Sequence, residues 1–188
     1  MNNISTDGVP VKLLREPLYD TYSQAAAAAP AALPKKIQFF VKGKSSDKGI
    51  HLTNLNDDGK LPPPERMSVY RAPRFVFTGM IEGDIVAMVK AYVCKVIVAG
   101  SDQFTGPLEY CAGGGGVDTN PNNGTPSVEA VVAFPEDLRI DIEAGQKFEV
   151  QLITEGAEIT LAKTGDDPAG KGLFVRCMLD GVHQLPQG

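Results

Sequence analysis

The stretch "LRIDIEAGQKFEVQLIT", residues 138–154, constrains the fold more than any other part of this chain. Leu138, Ile140 and Ile142 alternate with charged residues, Gly145 interrupts them, and Phe148, Val150 and Leu152 resume the alternation. A period of two sends one set of side chains to a buried face and the other to water, as in an antiparallel sheet with one wet side. The spacing predicts a hairpin turning at Gly145.

The same texture begins at Lys36 and continues along the chain. "KIQFFVKG", "GIHLTNL", "MSVYRAPRFVFTG", "SVEAVVAF", "AEITLAK" and "GLFVRCML" are short runs rich in β-branched or aromatic residues, with turn residues between them. Pro73 splits the third run. "FTGPLEYC" reads as a short strand or turn. "DIVAMVKAYVCKVIVAG" is the longest apolar run. Its Ala and Met residues permit a helix, but Val86, Val89, Val93, Val96, Ile97 and Val98 favour two strands or one long bent strand. No 3.6-residue apolar period persists for a helix of about 12 residues. The expectation is an all-β protein, an antiparallel β-sandwich of about eight to ten strands over residues 35–188.

The composition permits such a core: of 188 residues, 43% are hydrophobic and 22% charged. A net charge of -5 argues against nucleic-acid binding through the whole surface, which needs clustered Lys and Arg. No apolar stretch reaches the roughly 18 residues that a membrane-spanning helix requires. Cys94, Cys111 and Cys177 are too few and too far apart in sequence for a disulfide framework or a zinc site, and read as small buried hydrophobes.

Residues 1–34 differ from the rest. Asp7, Glu16 and Asp20 and the lack of a continuous apolar middle exclude a signal peptide, and Pro30 and Pro34 cut off the alanine run Ala25–Ala29. With Pro10 and Pro17 upstream, the segment reads as an extended arm unable to bury enough surface on its own. Val11, Leu13, Leu14, Leu18, Tyr19 and Tyr22 nonetheless form an apolar set that a purely solvating tail would lack. The expectation is an arm that orders against a neighbouring subunit and is dispensable for folding.

Signals for chemistry are weak. The glycines Gly113–Gly116 are followed by Pro121 and Pro126 and by no lysine, so neither a helix N-terminus nor a cation is in place for phosphate. The "GKS" at 43–45 would need a glycine at position 38, which is Gln38. Residues 112–127 therefore read as a long polar loop. "NLNDDGKLPPPE" puts Asn54, Asn56, Asp58 and Glu65 at calcium-ligand spacing with Gly59 at the turn, but its first ligand is neutral and Pro62, Pro63 and Pro64 block the exit helix. His51 and His183 lie far apart in sequence, and no G-x-S-x-G or H-E-x-x-H occurs. No catalytic set, metal or cofactor is expected. The chain has no Trp to form a sugar platform, although Tyr70, Tyr92 and Tyr110 could stack.

The Ala/Pro-rich arm, the "TNLNDDGKLPPP" turn and the closing "FPEDLRIDIEAGQKFEVQLI" resemble jelly-roll structural proteins of icosahedral viruses and tailless phages. The resemblance covers roughly residues 36–180 as pattern. It implies a single jelly roll (eight to ten strands) in a virion, with other copies of itself and other virion proteins as partners. It also implies a homo-oligomer, no sequence-specific nucleic-acid contact and no enzymatic activity. The competing expectations are a receptor- or carbohydrate-binding β-sandwich and a hydrolase built from dispersed carboxylates.

Overall fold

The computed structural model describes residues 11–24, 32–46, 48–79, 82–111, 133–156, 159–160 and 173–186. Among these residues, eleven strands form three antiparallel sheets. The first has β1 (Val11–Leu14), β11 (Gly181–Pro186), β4 (Arg66–Val69) and β8 (Ile140–Ile142), in that order. A second orders β2 (Leu18–Gln24), β10 (Leu173–Leu179) and β5 (Arg74–Thr78). The third orders β3 (Lys36–Phe39), β9 (Phe148–Ile153), β6 (Val93–Val98) and β7 (Ser101–Pro107).

The first two sheets are halves of one bent layer. β1 leads into β2 across Pro17, β4 into β5 across Pro73, and β10 into β11 across Asp180 alone. The neighbours keep the same order on both sides of the bend, β1–β11–β4 and β2–β10–β5. Proline cannot donate to a ladder, so Pro17 and Pro73 sit where pairing stops. Phe39 of β3 meets Phe75 of β5 edge-on at 5.7 Å between ring centroids, joining the bent layer to the third sheet. Ile37, Val96, Val150, Leu152, Val69, Val175 and Leu179 fill the interior between them. The described residues form an all-β sandwich of antiparallel sheets, as expected.

Several expectations need correction. "DIVAMVKAYVCKVIVAG" is a helix followed by a strand: α1 (Glu82–Ala91) and then β6. Met88 and Tyr92 are fully buried and Ile85 and Val89 pack on the core, while Val86 and Lys90 face water. Positions 85, 88, 89 and 92 make a helical stripe, and it overrides the β-propensity of the valines. Tyr92 ends the helix inside the protein. Its hydroxyl donates to the Pro34 carbonyl at 2.7 Å, and burial pushes its pKa up to about 12.

The predicted hairpin does not form. β8 pairs with β4, whereas β9 pairs with β3 and β6 in the facing sheet. Gly145, at φ 74°, turns the chain across the sandwich, and its N–H donates to the Leu61 carbonyl at 3.0 Å. Alternation selects the buried face correctly but says nothing of which strand lies alongside. The same stretch misplaces Leu138. A single 3-10 turn, Glu136–Leu138, ends the pattern, and Leu138 stands 66% exposed while Ile140 and Ile142 are buried.

"GIHLTNL" is not a strand; only Thr53 makes an isolated bridge, to Asp20. "FTGPLEYC" divides into the end of β7 and a short helix, α2 (Leu108–Cys111). β11 has no counterpart in the sequence-based strand assignment. "SVEAVVAF" and "AEITLAK" lie largely outside the described residues, as does the glycine-rich loop 112–127.

The arm requires the largest revision. Residues 11–14 pair with β11 and residues 18–24 pair with β10 along their whole length, all within one chain. Leu18, Asp20 and Thr21 are buried. A seven-residue strand filling one side of a ladder gains backbone hydrogen bonds and a buried face that composition alone could not reveal. The boundary drawn at residue 34 therefore does not separate an independent arm from the sandwich.

Candidate functional site

The calcium-spaced residues do not converge on an ion. Asn54 clamps the start of β2: its Oδ1 accepts from Tyr19 N–H at 2.8 Å and its Nδ2 donates to the Pro17 carbonyl at 2.9 Å. Asn56 is exposed. Asp58 folds back over the 43–46 turn, accepting from Gly43 N–H at 2.6 Å and from the Ser46 hydroxyl at 2.7 Å. Glu65 points to His183 Nε2 at 3.2 Å. Among the described residues, no group of three or more His, Cys, Asp or Glu could hold a metal. "GKS" is explained by the same turn. A Cβ on Gly43 would lie 2.6 Å from the Asp57 carbonyl oxygen, so the chain needs glycine there for close approach.

The Gly43 N–H first, then the Ser46 hydroxyl, hold the Asp58 carboxyl below its ordinary value of 3.8. A depressed folded pKa stabilises fully above the unfolded value and loses that contribution as pH falls through the folded one. The Tm gap between Asp58→Asn and the parent chain should therefore be present at neutral pH and close in acid. Millimolar calcium should leave both melting temperatures unchanged. A calcium-dependent rise that Asp58→Asn abolishes would restore the metal reading.

A buried polar node lies at the base of the same loop. Asp20 is fully buried, with Oδ2 accepting from Phe40 N–H at 2.6 Å and Oδ1 from Lys48 Nζ at 2.5 Å. Phe40 has φ 64°, a conformation bulky residues rarely adopt, and its buried ring packs on Phe148 at 5.4 Å. Nothing in the linear pattern marks this node, because Asp20 stands among residues that read as an arm.

All three cysteines are buried, and the thiols of Cys94 and Cys111 are in hydrogen-bond contact. That contact, with burial, pushes Cys94 well up, and burial does the same for Cys177. Thiolates react and thiols do not, so Cys94 and Cys177 are inert in the fold, and burial shields Cys111 from reagents. A thiol reagent added to native protein should modify none of them, and all three should react on unfolding. Native-state labelling of Cys94, Cys111 or Cys177 would contradict this.

The six arm residues are dispersed. Leu13 is 43% exposed on β1 and Leu14 is half-buried. Val11 is placed through its backbone pairing with Pro186. Leu18 enters the core. Tyr19 donates its hydroxyl to the Ile50 carbonyl at 2.6 Å and carries the Arg176 guanidinium 5.2 Å above its ring. Tyr22 is half-buried, with its hydroxyl bonded to Gln24, and burial raises its pKa.

The outer face of the β2–β10–β5 sheet carries a groove that sequence reading missed. Register brings Thr21, Arg176 and Val76 side by side, with Phe174 and Met178 on either side along β10. With Leu52, Thr78 and the exposed His51 they enclose about 400 Å³. Arg176 Nε donates to Thr21 Oγ1 at 3.1 Å, and a terminal nitrogen donates to the His51 carbonyl. His183 lies on another strand, paired with Glu65, so the two histidines do not form one site. No family model matches the chain, and no curated protein or solved structure matches it.

Proposed function

We propose that the chain is a virion structural protein, a capsid-type subunit with a single jelly roll that assembles with copies of itself into a shell. The observation that carries this reading is the strand order. When the three bent pairs are counted as one strand each, the eleven strands become eight. Numbered along the chain, one layer then reads first, eighth, third, sixth. The other reads second, seventh, fourth, fifth. That interleaving, in which the first and last strands lie adjacent in one sheet and successive strands alternate between layers except for the hairpin of the fourth and fifth, supports a double-sheet jelly roll. Folds of this kind host unrelated functions, so the shell assignment rests additionally on the resemblance of the arm, the proline turn and the closing strands.

The test is the mass of the purified chain across a concentration series, by sedimentation velocity and electron microscopy. A shell subunit should form large closed particles of uniform size without any ligand. A chain that remains monomeric throughout would overturn this function and favour the receptor- or sugar-binding alternative.

A further inference from the structure

Leu138 and the groove around Arg176 are complementary, and we propose that the turn Glu136–Leu138 of one copy docks into that groove on the next copy. This contact rests on the shell-subunit reading and gives it a specific interface. The turn offers a leucine 66% exposed, preceded by two exposed carboxylates, Glu136 and Asp137. Leu138 continues the alternation of Ile140 and Ile142, so an unbroken strand would have buried it; the 3-10 turn delivers it to water instead. Leaving a leucine exposed forgoes the stabilisation that its burial would bring.

The groove offers what the turn lacks. Val76, Phe174, Met178 and Leu52 provide apolar walls, and Arg176 supplies a cation held by neutral groups, Thr21, the His51 carbonyl and the Tyr19 ring. Among the described residues no carboxylate pairs with Arg176, whereas its neighbour Arg74 is paired with Asp180 at 2.9 Å. An acidic turn ending in leucine satisfies both features at once, the leucine in the apolar volume and a carboxylate on the guanidinium. None of residues 136–138 lines the groove of its own chain. The contact joins two different surface patches, and in a head-to-tail pair one copy keeps a free groove and the other a free turn, so association continues into rings or open filaments instead of stopping at a dimer.

The experiment uses the full chain in sedimentation velocity over a concentration series. Glu136→Lys with Asp137→Lys reverses the turn's charge at exposed positions, so the monomer should keep its melting temperature. Assembly should set in at a concentration about tenfold higher or more, the scale of losing a central anchor. Leu138→Asp should behave alike. Arg176→Glu should impair assembly alone and restore it in part when combined with the reversed turn; if that variant is unfolded, Val76→Asp provides the groove-side disruption. Parent chain that assembles together with turn variants that assemble equally well overturns the contact and leaves the shell reading standing. Parent chain that never assembles overturns both.

Discussion

Deleting residues 1–34 should abolish cooperative folding of the domain. The deletion removes β1 and β2, and with β2 goes one side of the ladder on β10 from Leu18↔Leu179 to Gln24↔Leu173. It also removes Leu18 and Asp20 from the interior and Tyr19 from beneath Arg176. β10 would become an edge strand whose inward residues Val175, Cys177 and Leu179, all fully buried, lose the cover on one flank. A domain's net stability is of order 5–15 kcal/mol, and losing a full strand with its buried face exceeds that. Thermal melts and near-UV circular dichroism of the truncated and parent chains decide the matter. A folded, cooperative chain lacking residues 1–34 would return the segment to the role of a separable arm.

The fold class was legible because alternation is a local property. Phe148, Val150 and Leu152 point inward wherever β9 finds its neighbours, so their burial could be read without knowing the partner. Partner choice depends on long-range closure, and Gly145 looks the same in sequence whether it closes a hairpin or crosses between sheets. The helix α1 was legible in principle, since Ile85, Met88, Val89 and Tyr92 fall at helical spacing, but the valine count outweighed that pattern. The arm misled for a compositional reason: prolines and alanines surround it, and its two strands gain their stability from β10 and β11, over a hundred residues later. For the candidate site, the exposure of Leu138 depends on one 3-10 turn, and the groove depends on registers across three strands. Neither leaves a mark in the linear pattern.

Asp20→Ala should be the most damaging point substitution at a polar position, and Asp20→Asn distinctly milder. The carboxylate answers two groups at once, the Phe40 N–H inside the core and the ammonium of Lys48 at its border. Alanine leaves the Phe40 N–H buried with no acceptor, a cost of about 1–3 kcal/mol, and adds a cavity. It also removes a constraint that enforces the Phe40 φ of 64°, a backbone conformation costing about 1–3 kcal/mol that persists only when its surroundings hold it. Lys48 adds less, because its side chain is already 21% exposed and can turn to water. A combined loss of about 2–4 kcal/mol lowers Tm by about 5–12 °C in a domain of this size. Asparagine keeps an acceptor for Phe40 and gives up the charge and the acceptor facing Lys48, which can turn to water, so its loss should be less than half as large. Lys48→Met separates the two halves of the node: it leaves Asp20 buried with the Phe40 bond and no cation, and should fall between the other two. Equal melting temperatures for the alanine and asparagine variants would mean that the Phe40 N–H does not depend on Asp20, and that the strained turn into the 40–58 loop is held by the packing of Phe40 on Phe148 alone.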